Sequence, residues 1–205
     1  MLISDFQQGG PVMKRFIAAA LMLGALVVLA GCAQSTQELR LSPAAPSTGP
    51  LIGNGQSLAF EVVDGRDNTD LGRQENIDGE TIRIQSDKDI AYAVQLAAAE
   101  ALRGYDFQPT LWDGGREPRL RIRIEELDHQ VTAGVPFQLE TRIGLEATAW
   151  RGGERYRTRA RTTLTDQRAL PPREGTNTEV IDEAITRALG ELLNRELANF
   201  LAGRN

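Results

Sequence analysis

Cys32 is the only cysteine among the 205 residues of the chain, and it directly follows Leu29-Ala30-Gly31. A large residue, two small residues and a cysteine form the lipobox pattern, in which small side chains let a signal peptidase reach the backbone beside the cysteine. Several acyl chains on that cysteine would hold a protein on a bilayer without a membrane-spanning helix. The pattern predicts cleavage before Cys32 and lipidation of its thiol, so we expect the membrane itself to be a partner.

Seven arginines recur at every second position of two segments, 119–123 and 155–161. Because alternate residues of a strand share one face, they would line a single solvent-exposed sheet face. We name it the arginine face, and its members are Arg119, Arg121, Arg123, Arg155, Arg157, Arg159 and Arg161.

Glu140, Arg142 and Glu146 would project between these arginines from the middle strand and neutralise part of their charge. The arginine face is then either a solvated surface of ion pairs or a binding surface for phosphate and carboxylate groups. In the periplasm such groups belong to lipopolysaccharide, peptidoglycan or an acidic envelope protein.

His129 is the only histidine, so a zinc site built from several histidines and cysteines is excluded once Cys32 is acylated. Asp128 could orient the ring, but neighbours on a strand point to opposite faces, and we expect His129 at a solvated strand end. One acidic loop lacks the spacing of a calcium-binding loop and is expected to be a hydrogen-bonded turn. The residues of this loop are Asp64, Asp67, Asn68 and Asp70. No metal site and no cofactor is predicted.

The segment before Cys32 has the layout of an export signal. Residues 13–15 are Met-Lys-Arg, and the apolar run 16–29 has the length of a signal peptide rather than of a membrane span. Residues 1–31 are predicted as the signal peptide, with 1–12 an upstream mis-start and Met13 the true start. The alternatives are an ordinary secretory peptide or an uncleaved anchor helix.

A polar stretch rich in turn residues follows the cysteine. Ala33 stands where Asp would retain an acylated protein in the inner membrane, which predicts the outer membrane, on its periplasmic side. Residues 32–56 read as a tether that would hold the domain roughly 25 to 30 Å from the bilayer. Within it, Leu39-Arg40-Leu41 is either tether or a short first strand. Residues 57–205 are expected to form a single α+β periplasmic domain.

The composition is that of an ordinary globular domain, with 41% hydrophobic residues, 25% charged residues and a net charge of -5. This balance gives no sign of a nucleic-acid partner. Alternating and helical hydrophobic patterns predict the elements of the fold. They are strands over 57–63, 81–85, 119–127, 137–150 and 155–165, and helices over 90–102 and 178–201.

These elements predict an α+β two-layer sandwich, in which two helices pack on one face of a mainly antiparallel sheet of about five strands. An open edge would be left at strand 57–63 or at strand 155–165, and such an edge can accept a partner strand.

Three short motifs lie in this layout: Leu41-Ser42-Pro43, Asp64-Gly65-Arg66 and Leu102-Arg103-Gly104-Tyr105. Together with the order of lipobox, tether, strands and terminal helix, they resemble the YajG-like lipoprotein family over nearly the whole chain after Cys32. The resemblance implies an outer-membrane lipoprotein with this fold. It implies no biochemical activity, and no catalytic residue is carried over from it.

Two functional hypotheses follow. The first is a non-enzymatic, membrane-tethered binding or assembly module, because no nucleophile, base and orienting group are assembled in the sequence. A structural lipoprotein that binds peptidoglycan or another anionic glycan through the arginine face differs from it only in the partner. The second is an envelope hydrolase whose site is built across loops, for instance from Asp64, Asp67 and His129.

Overall fold

A computed structural model describes residues 35–204, so Cys32 and the predicted signal peptide lie outside the described range. The strands are β1 (Thr36–Leu39), β2 (Gln56–Asp64), β3 (Gly72–Glu75), β4 (Thr81–Ser86), β5 (Phe107–Leu111), β6 (Arg119–Thr132), β7 (Phe137–Arg151) and β8 (Glu154–Arg168). The helices are α1 (Ile90–Gly104), α2 (Glu174–Leu192) and α3 (Arg195–Ala202). None of these helices is both long enough and apolar enough to cross a membrane.

The strands form one mixed sheet around β6. One side of β6 pairs with β7, which in turn pairs with β8. The other side pairs first with β2 and then with β3. Beyond these lie β5 next to β2, and β4 followed by β1 next to β3. Because β8 has only β7 as a partner in residues 35–204, it is an open edge, whereas β2 is enclosed.

The predicted α+β class is correct, but the predicted sheet is too small and too antiparallel. The described residues form eight strands, and the pairs β1–β4, β2–β5, β2–β6 and β3–β6 are parallel. Parallel partners are distant along the chain and have no hairpin turn between them to reveal the pairing. The sequence pattern missed β3 and β5, which have only four or five residues and too short an alternation to detect. The short first strand left open at 39–41 does exist, but β1 covers Thr36–Leu39 and so overlaps that segment only at Leu39.

The hydrophobic core lies between the sheet and its helices. α1 packs on β2 and β5, and α2 packs on β7 and β8. Ile122 and Ile124 of β6 are fully buried, as are Ile181 and Ile185 of α2. The opposite face of the sheet carries the arginine face, so the predicted division into a buried and a solvated side is confirmed for the first half of β6 and for β8. The middle strand β7 differs, because its residues 143–149 are buried on both faces.

The predicted terminal helix is two helices. α2 ends at Leu192, and the side chain of Asn194 accepts a hydrogen bond from the backbone N–H of Leu197 at 3.0 Å. This is an N-cap, which starts α3 as a separate helix.

The strand β6 changes its inward-facing positions halfway along. A bulge lies between Ile124 and Glu126, where the register with β7 shifts by one residue. Before the bulge the even-numbered residues face the core, and after it the odd-numbered residues do. His129 is therefore fully buried, and the prediction that it lies at a solvated strand end is wrong. The sequence carries a signal of this bulge, because the apolar positions change from even at Ile124 to odd at Leu127 and Val131, but the predicted strand 119–127 did not take it into account.

The segment predicted as a tether belongs largely to the fold. Leu39, Leu41 and Ile52 are buried in the core. The backbone N–H of Ser42 donates to the Asp182 carboxylate on α2 at 3.0 Å. The apolar residues in this segment are too sparse to form a recognisable pattern, but Leu39, Leu41 and Ile52 each fill a position in the core, whereas Leu51 is exposed. The structure therefore corrects the expectation that the whole of 32–56 is a flexible tether.

Candidate functional site

The arginine face is assembled by the register of β6, β7 and β8. Arg123 of β6 lies opposite Glu146 of β7, which lies opposite Arg159 of β8. Two residues further along β7, Thr148 lies between Arg121 of β6 and Arg157 of β8. The predicted gathering of the two arginine segments on one face, with the middle strand between them, is confirmed by this register.

Glu146 is the central carboxylate of the face. Its side chain is almost buried and forms ion pairs with Arg159 at 2.6 Å and with Arg157 at 3.5 Å. Arg159 also lies 3.7 Å from Glu125, and hydrogen bonding to Glu146 raises the pKa of its guanidinium. Glu146 therefore makes the cross-strand pairs that were predicted for it.

Glu140 and Arg142 behave differently from Glu146. They form an ion pair with each other on the same strand, and Arg142 also lies 3.7 Å from Asp128. Contrary to the prediction, these two residues make no ion pair with the arginine face within residues 35–204.

Two arginines of β6 are held by groups on neighbouring elements. Arg121 forms an ion pair with Glu61 of β2 at 2.5 Å. Arg123 donates to the backbone carbonyl of Gly65, in the Asp64-Gly65-Arg66 turn, at 3.0 Å. Because both contacts come from the chain around β2, they hold this side of the face in place.

The only two tryptophans of the chain lie at one end of the arginine face. The rings of Trp112 and Trp150 meet edge to face, with centroids 5.8 Å apart. Arg121 lies over the Trp112 ring at 4.6 Å, and Arg119 lies over the Trp150 ring at 4.9 Å. Such cation–π contacts fix the planes of the guanidinium groups. Neither tryptophan was predicted to lie on the arginine face. A signal existed for Trp150, because it is an even-numbered residue of its strand like Glu146 and so points to the same side of the sheet.

Positive charge is in excess on this surface. In residues 35–204, the seven arginines form ion pairs with Glu61, Glu125 and Glu146 only. Arg155 and Arg161 are exposed and make no hydrogen bond or ion pair with any described residue. Four of the seven arginines therefore form no ion pair within residues 35–204, in a chain whose net charge is -5: Arg119, Arg123, Arg155 and Arg161.

His129 lies on the core side of the sheet, within a hydrogen-bonded group that we name the histidine network. The hydroxyl of Thr141 donates to Nδ1 of His129 at 2.7 Å, and Nε2 donates to the side-chain oxygen of Asn177 at 3.2 Å. The Asn177 amide in turn donates to Gln37 at 2.8 Å and to Gln74 at 3.0 Å.

Both amide protons of Asn177 are used in these bonds, so its oxygen is an acceptor and the proton of His129 lies on Nε2. Burial lowers the pKa of His129, although the hydrogen bond to Asn177 and the nearby Asp128 charge act in the opposite direction. The ring is therefore neutral, and its nitrogens are occupied. The network joins β1, β3, β6, β7 and α2, a structural role that the sequence analysis did not identify.

The side chains of the acidic loop bond to other groups of the protein. Asp64 pairs with Arg66 at 2.8 Å, the side chain of Asn68 accepts from the backbone N–H of Asp70 at 3.0 Å, and Asp70 accepts from Gln85. Hydrogen bonding from Arg66 lowers the pKa of Asp64 against the effect of burial. These contacts agree with the predicted hydrogen-bonded turn.

The guanidinium of Arg66 is buried at this turn and also donates to the Asp70 carbonyl at 3.1 Å. Among residues 35–204, no three His, Cys, Asp or Glu side chains come together as metal ligands would. A cleft of about 470 Å³ opens beside Asp64, but neither Asp67 nor His129 lines it. The three residues proposed for a hydrolase site are thus not brought into a common pocket.

The fold and the face define a class of protein: an α+β domain with one face covered by helices and the other rich in arginine. Residues 43–202 match the model of a family described as "Uncharacterized lipoprotein". Since this match covers most of the chain, the chain belongs to that lipoprotein family.

The fold resembles that of a solved structure. Protein XCC0632 from Xanthomonas campestris is 13% identical, with a TM-score of 0.51 over 82% of this chain and 96% of that chain. The PelC dodecamer from Paraburkholderia phytofirmans is 15% identical, with a TM-score of 0.36 over 76% of this chain and 94% of that chain. The first likeness shows a related fold, and the second carries no argument. No curated protein matches the chain.

Proposed function

We propose that this chain is a lipid-anchored lipoprotein of the outer membrane that faces the periplasm and binds an anionic envelope partner without catalysing a reaction. The lipobox ending in Cys32 supports the lipid anchor, and Ala33 supports the outer membrane. Membership of a lipoprotein family supports attachment to a membrane. Binding is assigned to the arginine face.

The observation that carries this proposal is the excess of guanidinium groups on one sheet face. On a surface that served only for solubility, pairing opposite charges across neighbouring strands would stabilise the sheet most. Here Arg155 and Arg161 are unpaired within the described residues, and Arg119 and Arg121 are held over tryptophan rings. Guanidinium groups held in fixed planes suit the paired oxygens of carboxylate and phosphate groups.

The partner has the chemistry of peptidoglycan carboxylates, lipopolysaccharide phosphates or an acidic protein surface. The hydrolase hypothesis has less support. His129 is buried with both ring nitrogens bonded, and Asp64 is paired with Arg66. Neither group is available to move a proton to or from a substrate in the periplasm.

Photocrosslinking in living cells tests the proposal. A photoreactive residue is placed at position 155 or 161, since neither arginine has a described bond to lose. The matched control positions are Arg103 and Arg187, which are exposed on helices away from the face. We expect one defined envelope partner to be captured from 155 and 161 and not from 103 and 187.

A second experiment tests whether charge is the cause of the capture. Arg157→Glu, in a chain with the photoreactive residue at 161, reverses one charge of the face, and Arg187→Glu makes the same change in net charge elsewhere. Loss of capture with Arg157→Glu alone supports an electrostatic partner. Equal capture from all four probe positions, or capture that survives the charge reversal, contradicts the proposal.

A further inference from the structure

The chain enters the fold very close to the residue proposed to carry lipid. The backbone carbonyl of Ser35 accepts from Arg83 of β4 at 3.0 Å, and its hydroxyl donates to Glu80 at 3.2 Å. Only residues 33 and 34 separate Ser35 from Cys32. Three fully extended residues span at most about 11 Å. At most about 11 Å of backbone would therefore connect an acylated Cys32 to the end of the sheet where β1 begins.

Three loops lie at this same end of the sheet. β4 runs parallel to β1, so the β3–β4 turn, residues 76–80, is found where β1 starts. β6 runs parallel to β3 and ends at the β6–β7 turn, residues 133–136. β8 is antiparallel to β7 and also ends here, leading into residues 169–173 before α2.

Each of these loops exposes one large apolar side chain. Ile77 is 70% exposed, Val135 is 89% exposed and Leu170 is 76% exposed. A single exposed apolar residue on a protein surface is ordinary. Here, however, three separate loops carry one each, and all three project from the end of the sheet where the lipid would be attached.

We propose that this end of the domain rests on the bilayer that holds the lipid chains of Cys32, with Ile77, Val135 and Leu170 inserted among the phospholipid headgroups. This inference depends on the proposed acylation of Cys32. Removing the three side chains from water favours the contact. The short connection keeps the loops at the membrane surface, so that even weak insertion is maintained by high effective concentration.

The proposed orientation also determines where the arginine face points. Arg155 and Arg168 lie near opposite ends of β8, and Arg168 is the one at the loop end. At about 3.3 Å per residue, the distance between them along the strand is roughly 40 Å. The unpaired Arg155 and the two tryptophans are then presented away from the membrane, toward partners deeper in the periplasm.

Site-specific fluorescence on the full-length, acylated protein tests this orientation. Acylation blocks Cys32, which is the only cysteine, so a cysteine introduced by Ile77→Cys, Val135→Cys or Leu170→Cys is labelled alone with an environment-sensitive fluorophore. The matched controls are Leu51→Cys and Leu111→Cys, at side chains that are 69% and 88% exposed and lie on other parts of the domain. Each protein is reconstituted in vesicles of phosphatidylethanolamine and phosphatidylglycerol.

We expect probes at 77, 135 and 170 to shift their emission to shorter wavelength on reconstitution, and to be quenched by lipids that carry a quencher near the headgroup. Probes at 51 and 111 should keep the emission that they have in detergent-free buffer. Acylated protein whose three loop probes stay as water-exposed as the controls would overturn the inference. Failure of acylation gives a different result: Cys32 itself is labelled and the protein does not float with vesicles, which contradicts the proposed anchor instead.

Discussion

Substitution of Asn177 by alanine is expected to destabilise the domain strongly, although the residue is a small polar side chain far from the arginine face. Asn177 is fully buried and makes three side-chain hydrogen bonds, to His129, Gln37 and Gln74. Asn177→Ala removes the partner of all three groups at once. Gln37 is partly exposed, so its amide can form a hydrogen bond with water instead. His129 and Gln74 are buried and cannot.

The magnitude follows from the two groups that remain buried without a partner. Each buried donor or acceptor left unsatisfied costs about 1 to 3 kcal/mol. Two such groups give an expected loss of about 3 kcal/mol in the free energy of unfolding. For a domain of this size, with a urea dependence of about 2 kcal/mol per molar, the unfolding midpoint should fall by about 1.5 M.

Equilibrium unfolding in urea, followed by tryptophan fluorescence and circular dichroism, measures this loss. Asn199→Ala is the control, since the Asn199 side chain on α3 makes no hydrogen bond within residues 35–204. The slope of the transition should stay the same in both variants. A midpoint that moves no further for Asn177→Ala than for Asn199→Ala would refute the view that the histidine network ties the sheet to α2.

Three further predictions use the same unfolding assay. Because burial lowers the pKa of His129 below its usual 6.5, the unfolded state binds the extra proton, and stability should fall as the pH drops from 6.5 toward 5. His129→Gln should flatten this part of the pH profile, and an unchanged profile contradicts the assignment. Glu146→Gln should cost about 1 kcal/mol, an effect that shrinks in added salt because Arg157 and Arg159 are solvent-exposed; a salt-independent loss argues against ion pairing. Arg66→Ala should cost about 3 kcal/mol by leaving the Asp64 carboxylate without its buried partner, and a loss as small as that of Arg103→Ala would count against this role.

The sequence predicted the parts of the fold in which the hydrophobic pattern is long and regular. The strands β6, β7 and β8 have 14 or 15 residues, and their alternation revealed both the buried side and the arginine face. The helix α1 was recognised from its alanine-rich sequence, although its N-cap is Asp89 and not Ser86 or Asp87, the residues whose side-chain oxygens the sequence suggested for that role. In these segments the local pattern and the tertiary packing agree, so one sequence is sufficient to predict them.

The features that could not be predicted depend on contacts between distant segments. Leu39 and Ile52 lie in a polar stretch rich in turn residues, and the folded chain shows that both fill the core, whereas the neighbouring Leu51 is exposed. The inward direction of His129 depends on the bulge near Glu126, and the register with β7 shows where the extra residue lies. Trp112 directly follows β5 and Trp150 lies near the end of β7, so their contact joins positions that are 38 apart in the sequence.

The bulge in β6 also constrains how the length of this strand can change. The half before the bulge is held in register by β2 and presents Arg121 and Arg123 outward, while the half after it is held by β3 and places His129 in the interior. Deleting one residue between these halves would force one of them to slip by a position. Either the arginines would turn toward the hydrophobic core or the histidine would turn toward water. The extra residue thus lets even-numbered residues face the core in the first half of the strand and odd-numbered residues face it in the second half. Deleting one residue there should therefore destabilise the domain more than any single substitution in the strand.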